Sequence, residues 1–161
     1  MSVAADIAMS WLRPVRVMRR LLSQGQREDR VLAFLMFGCA LVFLSELPRL
    51  SRMPGDTPVE ARFGGALFAW LALMPLAFYG LAALSHLVAR ALGGQGSFYG
   101  ARLALFWALL AAAPLWLVAA AISEVAGGSA ELPEAIALAA FLALWITGLV
   151  TAEREAPDAA S

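Results

Sequence analysis

The chain of 161 residues is 61% hydrophobic and only 15% charged, and its formal net charge is zero. Soluble globular domains are typically about 45–50% apolar and about 25% charged. The apolar residues are also gathered in blocks that lack a polar helical face, which argues against a soluble helical bundle. We therefore predict an all-α polytopic membrane protein, with four transmembrane helices preceded by an N-terminal amphipathic helix at the membrane interface.

Residues 1–30 are predicted to carry this basic amphipathic helix. Pro14 suits the first helical turn and Gly25 suits the helix end. The predicted apolar side is formed by Trp11, Val15, Met18 and Leu22, and the basic side by Arg13, Arg16, Arg19 and Arg20. Such a helix tends to lie in the membrane interface, where arginines approach anionic headgroups. The alternative is that its apolar side packs against the protein's own spans.

The transmembrane domain is predicted over residues 31–151, because a spanning helix needs about 20 mostly apolar residues. Its four spans cover about residues 31–47, 63–92, 99–123 and 134–151. The first ten residues lack a basic segment followed by an apolar one, so we predict no cleavable signal peptide. Residues 48–62, which contain three prolines, are predicted to form an irregular loop. Residues 152–161 are predicted to form a disordered tail.

Two prolines, Pro75 and Pro114, lie near the middle of the second and third predicted spans. Proline inside a spanning helix removes a backbone hydrogen bond and usually kinks the helix. Kinks at similar depth are expected either to shape a cavity or simply to fit neighbouring helices.

Arginines are distributed unevenly between the two predicted faces of the membrane. Nine precede the first span, flank the connection between the second and third, or follow the last, whereas three lie between the first two spans. Basic residues favour the cytoplasmic face, so both termini are predicted to be cytoplasmic. All twelve basic residues are arginine, which suggests a GC-rich genome and hence a bacterial inner membrane.

The histidine His86 lies near the predicted cytoplasmic end of the second span, four residues before Arg90. One histidine cannot form a zinc site alone, and the sequence places no obvious nucleophile or carboxylate beside it for catalysis. An ionisable residue within a span can mark a functional site. A hydrogen bond to a neighbouring helix end is the simpler expectation.

A glycine-rich run, Gly93-Gly94-Gln95-Gly96-Ser97-Phe98, connects the second and third spans. Glycine permits a sharp reversal between antiparallel spans, and because no strand precedes the run it is not a nucleotide-binding fingerprint. Ser97 is expected to cap the third helix. Phe98 is expected to join an aromatic belt, and Arg102 to reach lipid phosphates.

With this loop the chain resembles the Yip1 domain family of small polytopic membrane proteins, in particular the short alphaproteobacterial type. The resemblance rests on a helix opened by Arg13-Pro14, on the glycine loop, and on Pro114 one span later. It covers roughly Trp11 to Thr151, although Yip1 domains commonly have five spans and four are counted here. The resemblance implies membrane residence and protein or lipid partners, and it carries over no catalytic residue.

The sequence contains no catalytic triad order, metalloprotease motif, Walker loop or EF-hand. We therefore expect no enzyme activity, metal, cofactor or nucleic-acid partner. The leading hypothesis is a non-enzymatic inner-membrane protein that organises the membrane or associates with anionic lipids, other membrane proteins or itself. Two alternatives stay open: an oligomeric transport or channel component with Glu46, His86 and Arg90 at its rim, and an accessory subunit of a larger membrane complex.

Overall fold

The computed structural model describes residues 2–127 and 131–155, and these residues form helices and short connections without a strand. The helices are α1 (Val3–Leu12), α2 (Pro14–Ser23), α3 (Glu28–Arg52), α4 (Val59–Phe68), a π-helical turn (Ala69–Leu73), α5 (Met74–Ala91), α6 (Phe98–Val125) and α7 (Glu131–Arg154). Four continuous helical segments are long and apolar enough to cross a membrane. The predictions of an all-α fold and of four spans are thus confirmed, and the protein is a multi-pass membrane protein.

The second span is one continuous segment, Val59–Ala91, made of α4, the π-helical turn and α5. Pro75 is in the first turn of α5, directly after the π-helical turn. A proline ring clashes with the carbonyl four residues earlier and supplies no N–H, and a widened π turn is one way for a helix to accommodate this. Pro114 lies inside α6, which continues as α-helix to Val125.

The first connection is shorter than predicted, because α3 continues through Pro48 to Arg52 and α4 begins at Val59. The predicted loop of residues 48–62 is therefore wrong at both ends, and only residues 53–58 are irregular. Arg62 stabilises this short connection, because its guanidinium donates to the carbonyls of Leu50 at 3.2 Å, Thr57 at 2.9 Å, and Met53 and Gly55. One side chain thus satisfies the end of α3 and the loop after it.

Helix α6 forms the centre of the bundle and packs most extensively against α3 and α7. Nearly all of its residues from Tyr99 to Ala113 are buried. Small residues allow the close approach on both sides. A Cβ added at Gly38 of α3 would lie 3.0 Å from Leu109, and one added at Gly148 of α7 would lie 3.3 Å from Ala104.

The four spans alternate in direction, which gives the bundle two distinct ends. We call the end that carries residues 93–97 the loop end; α3 and α6 begin there, and α5 and α7 finish there. The far end carries residues 53–58, together with the last turn of α6 and the first turn of α7. Ion pairs link neighbouring helices at each end, Arg102 with Glu28 at the loop end and Arg52 with Glu124 at the far end.

The N-terminal segment forms two short helices instead of one. Helix α1 ends at Leu12 and α2 starts at Pro14, so Trp11 and Val15 lie on different helices. The predicted apolar stripe through both residues is wrong, since a proline at the first position of α2 cannot donate the bond that would continue α1. The face of α2 that is buried consists of Val17, Met18 and Leu21. This face packs mainly on α7.

Buried polar contacts hold the α1–α2 hairpin to the spans. Trp107 of α6 donates from Nε1 to Ser10 Oγ at 2.9 Å, and the Ser10 hydroxyl donates to the Asp6 carbonyl. The Asp6 carboxylate forms an ion pair with Arg20. The buried face of α2 therefore packs against the protein's own spans, which is the alternative placement expected for the apolar side.

Candidate functional site

The loop end contains a buried histidine–carboxylate pair. His86 Nδ1 lies 2.6 Å from Glu153 Oε1, and both side chains are about 5% exposed. The Phe98 ring covers the imidazole, with the two ring centroids 4.4 Å apart. His86 thus forms the expected hydrogen bond to the end of a neighbouring helix, α7, and its partner there is a carboxylate.

Glu153 is the centre of this arrangement. Its second oxygen accepts a hydrogen bond from the Gly96 amide at 3.0 Å, and its backbone carbonyl accepts one from the Gln95 amide at 2.9 Å. The last turn of α7 therefore joins the end of α5 to the loop. The predicted disordered tail begins too early, because α7 continues to Arg154 and Glu153 is buried. Residues 156–161 of that tail lie outside the described residues.

The loop glycines are needed for close approach to α7. A Cβ at Gly94 would lie 2.5 Å from Glu153 Oε2, and one at Gly96 would lie 2.6 Å from the Ala152 carbonyl oxygen. Real Cβ atoms do not come so near, so backbone would have to move. Gly93 serves the reversal itself, with a φ of 96° that L-residues rarely adopt.

Helix α6 starts as the sequence predicts. The Ser97 hydroxyl accepts a hydrogen bond from the Gly100 amide at 3.0 Å and caps the helix. Phe98 is half-exposed, whereas Tyr99 is buried. The Tyr99 hydroxyl donates to the Gly25 carbonyl at 3.2 Å and accepts from the Arg27 amide at 3.1 Å. Tyr99 thereby fixes the connection between α2 and α3.

The predicted rim residues Arg90 and Arg102 have different surroundings. Arg90 is exposed at the last turn of α5, while the His86 side chain one turn earlier is buried. The Arg102 guanidinium pairs with Glu28 and lies over the Tyr79 ring, 5.8 Å from its centroid. Arg102 therefore joins α6 to α3 and α5, in addition to any contact with lipid.

The arginines at the two ends differ in whether they have partners within the protein. At the far end, Arg49 pairs with Glu46 at 2.8 Å, Arg52 pairs with Glu124, and Arg62 binds backbone carbonyls. At the loop end, four exposed arginines have no hydrogen bond or ion pair with residues 2–127 or 131–155, namely Arg13, Arg16, Arg90 and Arg154. Of the other predicted lipid-surface residues, Arg19 pairs with Glu155 at 2.8 Å, Arg20 pairs with Asp6, and Trp11 is half-exposed.

The far end contains a cavity of about 550 Å³ between α3, α5, α6 and α7. Its floor reaches Phe78, Leu109 and Phe141, and its mouth carries Glu46 and Glu134. Neither His86 nor Arg90 lines it, so the three side chains suggested as one transport rim lie at opposite ends of the bundle.

The chemistry open to the His86–Glu153 pair is limited. Both carboxylate oxygens are already engaged, by the imidazole and by the Gly96 amide. Within the described ranges, no group of three or more His, Cys, Asp or Glu side chains could hold a metal ion. The arrangement is suited to fastening α7 against the loop.

No protein-family model matches the chain, and no curated protein or solved structure shows a significant similarity to it.

Two residues of this end were not identified from the sequence, Glu153 and Asp6. Glu153 follows the last apolar block and looks like the start of a polar tail, and only the three-dimensional approach of α7 to the loop reveals its partners. Glu153 nevertheless follows two residues that are themselves buried, Thr151 and Ala152. A helix continuing at 3.6 residues per turn past Gly148 would have placed Thr151 and Ala152 on the same buried face.

Proposed function

We propose that the protein is a non-enzymatic, multi-pass protein of the bacterial inner membrane that organises the membrane by binding anionic lipid headgroups at its loop end. The observation that carries this proposal is the contrast between the arginines of the two ends. Four exposed arginines of the loop end are left unpaired by the described residues, whereas each far-end arginine has a protein partner. Guanidinium groups suit phosphate oxygens because their donors match them in pairs.

The position of the α1–α2 hairpin supports lipid contact. Helix α6 has 28 residues, and at 1.5 Å per residue it measures about 42 Å, more than the hydrocarbon thickness of about 30 Å. The ends of the spans therefore extend to headgroup depth. Leu12 is 84% exposed beside Arg13 at the tip of the hairpin, and an exposed apolar residue next to arginine is typical of the membrane interface.

The same charge pattern supports a cytoplasmic loop end. Nine arginines lie at this end and three at the other, and cytoplasmic segments of membrane proteins are enriched in arginine. Both termini would then be cytoplasmic, where the leaflet carries the anionic lipids that attract basic segments.

Membership of the Yip1 type is part of the same proposal. The glycine loop that carries the resemblance packs against the end of α7 through Gly94 and Gly96. A loop that needs glycine for packing is consistent with a role in assembly, and the engaged His86–Glu153 pair is consistent with the absence of catalysis. Other membrane proteins, or a second copy of the chain, are the expected protein partners.

The proposal is tested by counting the lipids that co-purify with the full-length protein after extraction from mixed vesicles of phosphatidylglycerol and phosphatidylcholine. Native mass spectrometry should find phosphatidylglycerol enriched around the protein, and the enrichment should fall with rising salt, as attraction to an exposed charged surface does. Replacing Arg13 and Arg16 by glutamine should remove about half or more of the enrichment, since each arginine contributes about 1 kcal/mol near an anionic surface.

The matched control is Arg49→Gln with Arg52→Gln, which removes the same charge from the far end. It should leave the enrichment unchanged. Equal losses from both double variants, or an enrichment insensitive to salt, would contradict the proposal.

A second candidate function, a solute-binding component of a transport system, is favoured by the far-end cavity. This cavity reaches from the mouth at Glu46 to the buried Phe78 and Leu109. Flux of organic cations through proteoliposomes, compared between the wild type and an Ala120→Trp variant that fills the cavity from its α6 wall, tests this candidate. Identical flux with and without the filled cavity would remove it.

A further inference from the structure

Two apolar grooves run along the last three turns of α7, one on each side. The wider groove, of about 790 Å³, lies between α5 and α7. Its α5 wall is a stripe of exposed residues, Leu81, Leu84 and Val88, and Leu92 continues the stripe directly after the helix. These residues extend over about 17 Å of helix at 1.5 Å per residue, which is enough length for much of an acyl chain.

The narrower groove, of about 300 Å³, lies between α2 and α7. Val15 and Arg19 line it from α2. The two grooves share three residues of α7: Ile146, Val150 and Arg154. Ile146 and Val150 thus form a ridge with an apolar groove on each flank, and Arg154 stands where the two grooves meet at the loop end.

The charge at this meeting point is positive, and no described residue pairs with it. Arg154 is exposed, and no hydrogen bond or ion pair joins it to any residue that the structure describes. The neighbouring Glu153 does not neutralise it, because that carboxylate is turned inward to His86 and Gly96. Arg19, the cation of the narrower groove, is held beside Arg154 by its pair with Glu155.

We propose that these grooves form a binding site for one diacyl phospholipid, which straddles the Ile146–Val150 ridge with one acyl chain in each groove and its phosphate on Arg154. Two apolar grooves that converge on one cation match a molecule with two apolar chains joined at one phosphate. The site goes beyond the lipid-attracting surface of Arg13 and Arg16, since it holds a single molecule by shape as well as charge.

The test uses the purified full-length protein and three probes that differ in one feature each. Dioleoyl-phosphatidylglycerol has two chains and a phosphate, its lyso form has one chain, and dioleoylglycerol has no phosphate. Native mass spectrometry should show one molecule of the first probe retained per protein, with about tenfold weaker retention of the other two, as expected for loss of a charge-assisted contact or of a buried chain.

Variants assign the retained lipid to the grooves. Arg154→Gln should reduce phosphatidylglycerol retention about tenfold, to the level of dioleoylglycerol. Leu84→Trp should obstruct the wider groove and abolish retention, whereas Leu76→Trp, at another exposed position of α5, should leave it intact. Unchanged melting temperatures would show that neither tryptophan disturbs the fold.

The outcomes separate this site from the proposed function. Replacing Arg13 and Arg16 by glutamine should lower the general enrichment of anionic lipid and leave the single retained molecule in place. Equal retention of the one-chain and two-chain probes, or equal effects of Leu84→Trp and Leu76→Trp, would overturn the site. If the Arg13 and Arg16 variant also loses the single lipid, the proposed groove site is wrong, because the lipid is then bound at the surface of Arg13 and Arg16.

Discussion

The two ends of the bundle are stabilised by different kinds of contact. At the loop end, buried groups meet in pairs: His86 with Glu153, Tyr99 with the α2–α3 connection, and Trp107 with Ser10. At the far end, the pairs are exposed and surround an open cavity. Buried polar contacts are costly to break, whereas exposed ion pairs contribute little. Substitutions at the two ends should therefore have very different effects.

The largest effect is expected at Glu153. Replacing it by alanine leaves the buried imidazole and the Gly96 amide without an acceptor, and breaking a buried pair typically costs about 3–5 kcal/mol. The unfolding free energy in detergent should fall accordingly. The control is Glu155→Ala, two residues away, which removes an exposed pair with Arg19 and should cost at most about 1 kcal/mol.

A double-mutant cycle sharpens this prediction. If His86 and Glu153 stabilise each other, the effects of His86→Ala and Glu153→Ala should be non-additive, with a coupling of about 1–3 kcal/mol. Additive effects would mean that the two side chains are neighbours without a significant interaction.

The next largest effect is expected at the loop glycines. Gly96→Ala would place a methyl group against the Ala152 carbonyl, and overpacking of this kind costs about 1–3 kcal/mol. Gly80→Ala in α5 is the matched control, because an added Cβ there meets nothing within 4 Å. It should be neutral or stabilising by up to about 1 kcal/mol. A Gly96→Ala protein as stable as the wild type would contradict the tight packing of loop and helix.

The sequence predicts contacts between residues that are close together in the chain better than contacts between residues that are far apart in it. Span number and the Ser97 cap depend on residues close together in the chain, and the sequence predicts both. The Glu153 contacts join residues 57 and 67 positions apart, and no local pattern indicates such a partner.

Errors in the helix boundaries have the same origin. The sequence predicts an irregular loop from Pro48, yet α3 continues through Pro48 to Arg52, and the Arg62 side chain donates to the Leu50 carbonyl near the helix end. Pro14 opens α2 as the sequence predicts, but the apolar spacing that extends back to Trp11 crosses from α2 into α1. Local propensity indicates that a proline destabilises a helix interior, but tertiary contacts determine whether the helix continues past it.

A smaller effect is expected for Tyr99→Phe, which removes the hydroxyl shared by the Gly25 carbonyl and the Arg27 amide. The loss should be about 0.5–1.5 kcal/mol for each bond removed. Tyr79→Phe is the control, because its hydroxyl has no hydrogen bond to the part of the chain that the structure describes. Similar melting temperatures for both variants would assign no stabilising role to the Tyr99 hydroxyl.

The smallest effect is expected at the far end. Arg52→Gln breaks the exposed pair with Glu124, and such pairs contribute about 0–1 kcal/mol. Its melting curve should nearly superimpose on that of the wild type. A loss comparable to that of Glu153→Ala would remove the distinction between the two ends.

Hydrogen exchange of the full-length protein in lipid nanodiscs tests this distinction most directly. The Gln95 and Gly96 amides donate to Glu153, whereas the amides of residues 55–57 donate to no described residue. The account predicts slow exchange in the peptide covering residues 93–98, fast exchange in residues 53–58, and acceleration of the first peptide alone in Glu153→Ala. Equally fast exchange of both loops in the wild type would contradict it.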